Sequence, residues 1–206
     1  MNNIYYLQKT ANGTNQISLK SKLFERRIIF LEEEITPESV NVTIQQLSLL
    51  ATEDRTKPVT IILNSPGGSI RDGLVLIDVM RSLPFPVRTV SLGIAASMAG
   101  VILAAGAKGH RYISPNSQVM LHQPLLSGGV PAGNCSEVER VAKNLTDRKR
   151  QMNRLLSRLT GKNIKQIEKL TAKDTYLNAE EALNTGLVDH ITNNKTLYEL
   201  MTGGLI

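Results

Sequence analysis

Ser97, His122 and several aspartates are the side chains of this sequence whose types could support nucleophilic catalysis. Ser97 lies among small and apolar residues, in Gly93-Ile94-Ala95-Ala96-Ser97-Met98-Ala99-Gly100, directly before an apolar helical run. A serine there is either a helix cap or a nucleophile presented at a helix start. Small neighbours leave room for a substrate backbone, and the N–H of Met98 is a natural donor to an oxyanion. The local sequence leaves both interpretations open.

Three histidines compete for the role of the base that takes the serine proton. His110 lies in a charged turn and is expected to be a solvated loop residue. His190 follows Asp189 in the final predicted strand and could pair with that neighbour. His122 ends an apolar strand just before a Gln-Pro pair, and catalytic groups are often mounted where a chain leaves a sheet. Position alone allows His122 to be structural or catalytic.

The sequence leaves more candidates for the orienting acid than for the base, and it does not decide the second oxyanion donor. Order along the chain does not select an acid, because triads occur in several orders. The candidates are Asp72, Asp78, Asp147, Asp174 and Asp189. Gly67-Gly68 ends a predicted strand and could bring a backbone N–H close to a substrate, but the pair would serve equally well as a plain tight turn.

Strand and helix patterns alternate along the chain and supply the elements that would position these residues. Strands are predicted over 27–31, 59–63, 87–92, 112–113, 119–122 and 187–191. Helices are predicted from Thr36-Pro37, from Ile70 until Pro84 and Pro86 stop the helix, over 97–105, and over about 25 residues from Ser136 to Gly161. Two shorter helices are predicted near 163–170 and 178–183, and Gly186 is expected to close the second of them. This alternation predicts an α/β fold built from ββα or βα units with right-handed connections. No linker-like segment divides the chain, so a single domain is expected.

The composition limits the kinds of molecule that this protein is expected to bind. The chain has 206 residues and a formal net charge of +6, but no tryptophan and only eight tyrosines and phenylalanines, which argues against base stacking on nucleic acid. The densest basic group lies on one predicted helix, where a solvated face is the simpler interpretation. The single cysteine excludes an intrachain disulfide framework and fits a reducing compartment. With no secretory signal and no long apolar run, we expect a cytoplasmic protein without a nucleic-acid or membrane partner.

Several short motifs then follow one another in register. They are 64–70 (Asn-Ser-Pro-Gly-Gly-Ser-Ile), 95–99 (Ala-Ala-Ser-Met-Ala), 104–111 (Ala-Ala-Gly-Ala-Lys-Gly-His-Arg), 115–117 (Pro-Asn-Ser), 120–124 (Met-Leu-His-Gln-Pro) and 172–182. Together they resemble the ClpP peptidases, the proteolytic subunits of the ATP-dependent Clp machines. The resemblance runs from about residue 21 to residue 191. Thr185 replaces the tyrosine of the family's Tyr-Gly-Leu-Val-Asp motif.

The resemblance implies a complete Ser–His–Asp triad. Ser97 falls on the family's nucleophile, His122 on its general base and Asp174 on its orienting acid. Gly68 and Met98 fall on the backbone donors of the oxyanion hole. No cofactor and no metal are implied. Acyl-CoA chemistry on the related scaffold is a poor alternative, because it does not need these three side chains.

The resemblance also implies an architecture and an assembly. The fold would be a crotonase-like ββα spiral head with a protruding strand–helix handle, within one domain over 1–206. Residues 1–20 would form an axial N-terminal segment, and residues 123–160 the handle region. Two stacked heptameric rings would form a tetradecamer fed with unfolded polypeptides by a hexameric AAA+ unfoldase. This chain itself has no G-x-x-x-x-G-K-[ST] loop. The implied function is a serine endopeptidase that degrades unfolded proteins to short peptides in protein quality control.

Three features depart from the family pattern. The loop 125–135 is longer than usual. Thr60, Ile62 and Ser82 stand where the family has aromatic side chains in the surface pockets that receive the unfoldase. Ile94 replaces a residue that is often polar. The first two departures motivate an alternative, in which the chain is a partner-dependent subunit of a mixed ring with a second ClpP-type chain and has weak activity alone.

Overall fold

Strands and helices alternate through most of the computed structural model, which describes residues 5–10, 13–126 and 133–204 of the chain. The strands are β1 (Tyr5–Thr10), β2 (Gly13–Ser18), β3 (Ile28–Leu31), β4 (Val59–Ser65), β5 (Val87–Ala96), β6 (Arg111–Ile113), β7 (Gln118–Leu121), β8 (Thr175–Leu177) and β9 (His190–Ile191). The helices are α1 (Leu19–Phe24), α2 (Pro37–Glu53), α3 (Ile70–Ser82), α4 (Met98–Ala104), α5 (Cys135–Thr160), α6 (Ile164–Thr171), α7 (Ala179–Thr185) and α8 (Asn194–Thr202). The predicted α/β class is confirmed.

A mostly parallel sheet of seven strands organises the molecule. β3, β4, β5, β6 and β9 lie side by side in that order, and each neighbouring pair is parallel. β7 pairs in parallel with the second half of β5, and β8 pairs antiparallel with β7. The carboxyl ends of β4, β5 and β7 therefore meet at one edge of the sheet, where β8 begins. β1 and β2 form a separate antiparallel hairpin.

Short polar side chains and glycines set the helix ends. The Thr36 hydroxyl accepts a hydrogen bond from the Ser39 N–H at 3.2 Å, which caps the start of α2. Asparagines cap α5, α6 and α7 in the same way. Gly161 and Gly186 adopt the left-handed conformation at the ends of α5 and α7. The predicted boundaries at Thr36, Gly161 and Gly186 are confirmed.

Both faces of the parallel strands are buried, as expected for strands covered by helices on each side. On one face Leu47, Ile77 and Ile102, from α2, α3 and α4, belong to the larger apolar cluster. On the other face a smaller cluster joins strand residues to Leu200 of α8. Alternate residues of β4 point to opposite faces, so Ile61 belongs to the first cluster and Ile62 to the second.

Two of the three positions that the resemblance places at a surface pocket are buried in this chain. Thr60 is 4% exposed and Ile62 is 2% exposed, whereas Ser82 is exposed. Ile62 is covered because Leu23 of α1 and Met201 of α8 pack against its cluster. These two positions on β4 therefore offer little surface to a partner.

The two parts of α5 differ in burial. From Cys135 to Gln151 its side chains are exposed or half-exposed, whereas Met152, Leu155 and Leu156 are buried against the body of the molecule. This pattern is compatible with the predicted handle region, but the handle and the ββα spiral stay predictions. Residues 127–132 of the loop that was expected to be longer lie outside the described residues. None of the helices in the described ranges is both long enough and apolar enough to cross a bilayer.

Several elements differ from the sequence-based prediction. The hairpin β1–β2, α1, β8 and α8 were not predicted, and the last strand is shorter than 187–191. β5 continues past Leu92 to Ala96, because its second half finds a new partner in β7. Ser97 itself precedes α4 and is not part of it.

Candidate active site

Three strand ends bring Ser97, His122 and Asp174 together. Ser97 directly follows β5, and its N–H donates to the Met120 carbonyl of β7 at 2.7 Å. His122 directly follows β7. Leu121 pairs with Thr175 in the antiparallel ladder between β7 and β8, so the next residues outward, His122 and Asp174, lie opposite each other. The sheet order β5–β7–β8 thus supplies the three side chains in sequence.

The backbone of Ser97 bears on the choice between helix cap and nucleophile. Ser97 occupies the N-cap position of α4, but its side chain makes no capping hydrogen bond. Its φ of 53° and ψ of −120° are uncommon for a residue with a side chain and cost about 1–3 kcal/mol. The hydroxyl instead lies 2.8 Å from His122 Nε2. Ser97 is held in a strained turn that directs its hydroxyl to an imidazole, which favours the nucleophile over the cap.

Asp174 lies beside His122 without forming a hydrogen bond to it. The distance from His122 Nδ1 to Asp174 Oδ1 is 3.9 Å, beyond hydrogen-bond range. The imidazole is mostly buried, with 14% of its side chain exposed, whereas 66% of the Asp174 side chain is exposed. A movement of roughly one ångström would bring the carboxylate within range to accept a hydrogen bond from the Nδ1–H.

The Gly67-Gly68 turn lies against Ser97. A Cβ at Gly67 would lie 2.7 Å from Ser97 Cβ and 2.6 Å from the Ala96 carbonyl, so only glycine allows this approach. The Ile35 N–H donates to the Gly67 carbonyl at 2.8 Å and holds the turn in place. Within the described residues, neither the Gly68 N–H nor the Met98 N–H donates to a protein acceptor. Both N–H groups are therefore available to a substrate oxyanion.

An open cleft of about 1060 Å³ extends from Ser97. Apolar side chains of α4, β7 and the buried part of α5 form much of its wall, and Asn153 and Thr171 contribute polar groups to it. Ser97, Met98, His122 and Gly68 all line the same cleft. A cleft of this volume can accommodate a ligand beside the Ser97 hydroxyl.

The other histidines are not near Ser97 Oγ. His110 is half-buried, and burial, followed by the charge of Arg88, lowers its pKa from the ordinary value. His110 does lie in a loop as expected, but its side chain is only partly solvated. His190 Nε2 pairs with the Gly109 carbonyl at 3.1 Å, and its ring stacks on Tyr112. No ion pair joins His190 to Asp189 in the part of the chain that the structure describes.

None of the remaining candidate aspartates, all within the described residues, pairs with His122, and Asp78 is exposed on α3. Asp189 accepts two hydrogen bonds from the buried Arg111 guanidinium, at 2.8 and 2.6 Å. Burial opposes ionisation of Asp189, but the hydrogen bonds and charge of Arg111 hold its pKa well below the ordinary value. Asp147 pairs with Arg150 on exposed α5, and Asp72 lies in the first turn of α3. Among the candidate acids, Asp174 is the one that the structure brings to His122.

Gly73 is a contributor to the site that the sequence analysis did not single out. It lies inside α3, and a Cβ there would collide with the Met98 side chain, which packs against this glycine. The signal that could have found it is a lone glycine within a helical pattern, which costs stability unless a neighbour uses the space. Gly73 thus helps fix the residue that follows the nucleophile.

A comparison with models of protein families finds a match over most of the chain. The family described as Clp protease matches residues 11–195 of the 206. The matched range includes every residue of the cleft described above.

Proposed function

The chain belongs to the Clp protease family, and from this premise we propose that it is a serine endopeptidase that cleaves unfolded polypeptides into short peptides. Membership implies a peptidase. The serine mechanism and the residues that carry it are inferred from the geometry of the cleft. Ser97 is the nucleophile, His122 the general base, Asp174 the orienting acid, and the N–H groups of Gly68 and Met98 form the oxyanion hole.

The first half-reaction forms an acyl-enzyme. Ser97 Oγ attacks the carbonyl carbon of the scissile peptide while its proton passes to His122 Nε2, 2.8 Å away. The carbonyl oxygen becomes an oxyanion and accepts hydrogen bonds from the N–H groups of Gly68 and Met98. When the tetrahedral intermediate collapses, His122 returns the proton to the leaving amine and the peptide bond breaks.

The second half-reaction releases the other product. A water molecule gives its proton to His122 Nε2 and attacks the acyl carbon, and the second tetrahedral intermediate collapses as His122 returns that proton to the departing Ser97 Oγ. In both halves the imidazolium is stabilised when Asp174 accepts a hydrogen bond from Nδ1. Ser97 leaves the cycle as it entered, and no cofactor is consumed.

One observation carries this proposal. Ser97 has a strained backbone conformation, and its Oγ lies within hydrogen-bond distance of His122 Nε2. A structural serine at a helix start would use its hydroxyl to cap the helix, and this one does not. The arrangement is that of an activated nucleophile.

Labelling by a fluorophosphonate probe tests the proposal. The wild-type chain should be labelled and should hydrolyse a small fluorogenic peptide, and Ser97→Ala should lose both properties. Ser48→Ala is the matched control, because Ser48 is an exposed serine on α2 that only bonds to its own helix. Full peptidase activity in Ser97→Ala would contradict the mechanism.

The assembly is proposed as two stacked heptameric rings that receive substrate from a hexameric AAA+ unfoldase. Membership of the family supports oligomeric assembly and an unfoldase partner. The exposed first part of α5, which includes Val138 at 39% exposure, supports a contact surface between subunits. ATP would be hydrolysed by the partner.

The position of Asp174 favours a second candidate, in which activity depends on a neighbouring subunit of another ClpP-type chain. At 3.9 Å the acid is not bonded to His122 in the isolated chain, so subunit contacts could complete the triad. Native mass spectrometry combined with peptidase assays, alone and mixed with a second ClpP-type chain, separates the two candidates. Active tetradecamers of this chain alone would exclude the mixed ring.

A further inference from the structure

β5 contains a bulge just before the nucleophile. Leu63 of β4 pairs with Ser91 of β5, and Ser65 pairs with Ala95. Between these pairs β4 has only Asn64, whereas β5 has residues 92–94. Before the bulge β5 pairs with β6, and after it β5 pairs with β7. The bulge is therefore the point at which the strand that carries Ser97 changes its neighbour.

The Ser117 side chain closes one side of this bulge. Its hydroxyl accepts from the Gly93 N–H at 2.8 Å and donates to the Ser91 carbonyl at 3.1 Å. The Ser114 hydroxyl, 2.6 Å away, supplies the remaining hydrogen bond. One donor and two acceptor positions are the full capacity of a hydroxyl, and Ser117 is 1% exposed. A buried, fully used hydroxyl thus ties the two ends of the bulge to the start of β7.

The Asn64 side chain closes the other side. Its Oδ1 accepts from the Ile94 N–H at 3.2 Å and replaces the hydrogen bond that a regular ladder would provide. Gly93 has a φ of +90°, and a Cβ there would lie 2.6 Å from Asn64 Oδ1. Glycine at 93 leaves the space that the asparagine oxygen occupies. Asn64 and Ser117 together satisfy the N–H groups of Gly93 and Ile94.

The bulge controls where Ser97 points. Beyond it, Ala96 pairs with Met120, and the Ser97 N–H donates to the Met120 carbonyl at 2.7 Å. The direction in which β5 leaves the bulge therefore sets the position of Ser97 relative to His122 at the end of β7. Bulges beside active sites commonly re-aim a side chain in this way.

We propose that Asn64 and Ser117 are positioning residues for the nucleophile, acting through the bulge at residues 92–94. The inference rests on the proposed serine peptidase function and adds two residues to its machinery. Neither side chain touches the reacting atoms. Their effect is to hold the end of β5 so that Ser97 Oγ meets His122 Nε2.

Variants at Asn64, Ser117 and Ser91 provide both the tests and their controls. Asn64→Ala removes the acceptor for the Ile94 N–H, and Asn64→Asp keeps it. Ser117→Ala removes the buried hydroxyl. Ser91→Ala is the control, because the Ser91 hydroxyl is buried in the same strand and makes no hydrogen bond within the described residues. Asn64 is exposed, so its variants are expected to fold even where Ser117→Ala does not.

Peptidase kinetics and labelling rates test the proposal. In Asn64→Ala and Ser117→Ala, kcat and the fluorophosphonate labelling rate should fall by about 10- to 100-fold, because a small displacement of a reacting group has effects of that size. KM should change by less than about twofold, since substrate binding is not altered. Asn64→Asp and Ser91→Ala should behave as the wild type, and all folded variants should keep the native mass and melting temperature of the assembly.

Hydrogen exchange separates this inference from the proposed function. The amides of residues 93–97 should exchange faster in Asn64→Ala than in Asn64→Asp or the wild type, whether or not the chain is a peptidase. Unchanged exchange and unchanged kcat in Asn64→Ala would overturn the positioning role. Equal losses in Asn64→Ala and Asn64→Asp would also overturn it, because the acceptor would then be irrelevant. A wild type that is neither labelled nor active would instead contradict the serine peptidase.

Discussion

The Ser97 hydroxyl reaches His122 because the backbone adopts a φ of 53° and a ψ of −120° at the junction of β5 and α4. A serine that capped α4 in the usual way would have an extended conformation and would donate nothing to an imidazole. Both uses favour serine before a helix, so residue type alone could not separate them. The separating property is a dihedral angle set by the tertiary surroundings, in which Gly67 lacks the Cβ that would collide with Ser97.

At the residue scale, replacement of Asp174 tests whether its carboxylate orients His122, from which it is separated by 3.9 Å. In Asp174→Asn the neutral amide cannot stabilise the imidazolium, so we expect kcat to fall by about 100-fold or more, with KM little changed. Native mass should be unchanged, because the Asp174 side chain is largely exposed. Asp147→Asn, an exposed aspartate on α5, is the control. Near-normal turnover in Asp174→Asn would mean that another acid serves.

At the scale of elements, the sequence predicted best the helices whose ends are marked by a capping residue or a glycine. Thr36-Pro37 began a helix, and Gly161 and Gly186 ended helices, because capping and left-handed conformations are local. The second half of β5 was missed because Gly93 breaks the pattern, and its continuation depends on a hydrogen bond that the Ser117 hydroxyl accepts from the Gly93 N–H. β8 has three residues and exists through its pairing with β7, which is distant in sequence. Such pairings leave no periodic pattern.

The junction of α5 and α6 depends on a buried polar pair. The Thr171 hydroxyl lies 3.0 Å from Asn153 Oδ1, and both residues are almost fully buried. Thr171→Val keeps the shape but leaves the Asn153 oxygen without this donor, so we expect the free energy of unfolding to fall by about 1–3 kcal/mol.

Denaturant unfolding at fixed protein concentration measures this change. Thr146→Val, an exposed threonine that bonds to its own turn of α5, should change stability by less than about 0.5 kcal/mol. Adding Asn153→Leu to Thr171→Val should recover part of the loss, because both polar partners are then gone. Equal effects of Thr171→Val and Thr146→Val would show that the buried pair contributes nothing specific.

At the scale of the whole molecule, the candidate site is a product of sheet order. Five aspartates were possible acids in the sequence, and nothing local favoured Asp174. Its selection follows from the register in which Leu121 pairs with Thr175. The same sheet places Asp189 beside Arg111 at the edge formed by β6 and β9, where it serves the fold and not the cleft. Long-range pairing thus assigned one aspartate to the site and another to the scaffold.

The surroundings of His110 should lower the free energy of unfolding of the whole molecule at acidic pH. Burial, and then the charge of Arg88, lowers the pKa of His110 in the folded chain below its ordinary value of 6.5. The unfolded chain therefore binds this proton at a higher pH than the folded chain does. The contribution of His110 to the free energy of unfolding is therefore fully present above about pH 6.5, and it is lost as the pH falls towards the pKa of the folded state. The lowered pKa of Asp189 adds a second loss, which begins only below the ordinary value of 3.8.

Unfolding measured at about pH 7 and about pH 5.5 tests the first of these windows. In a Ser97→Ala background, which removes self-cleavage, the free energy of unfolding should be lower at the acidic value. Adding His110→Gln, which carries no titrating group, should reduce that difference, because the proton uptake on unfolding has been removed. Glu38→Gln, an exposed residue in the first turn of α2, should leave the difference unchanged. If the His110→Gln and parent chains lost the same stability between the two pH values, His110 would not be a source of the acid sensitivity.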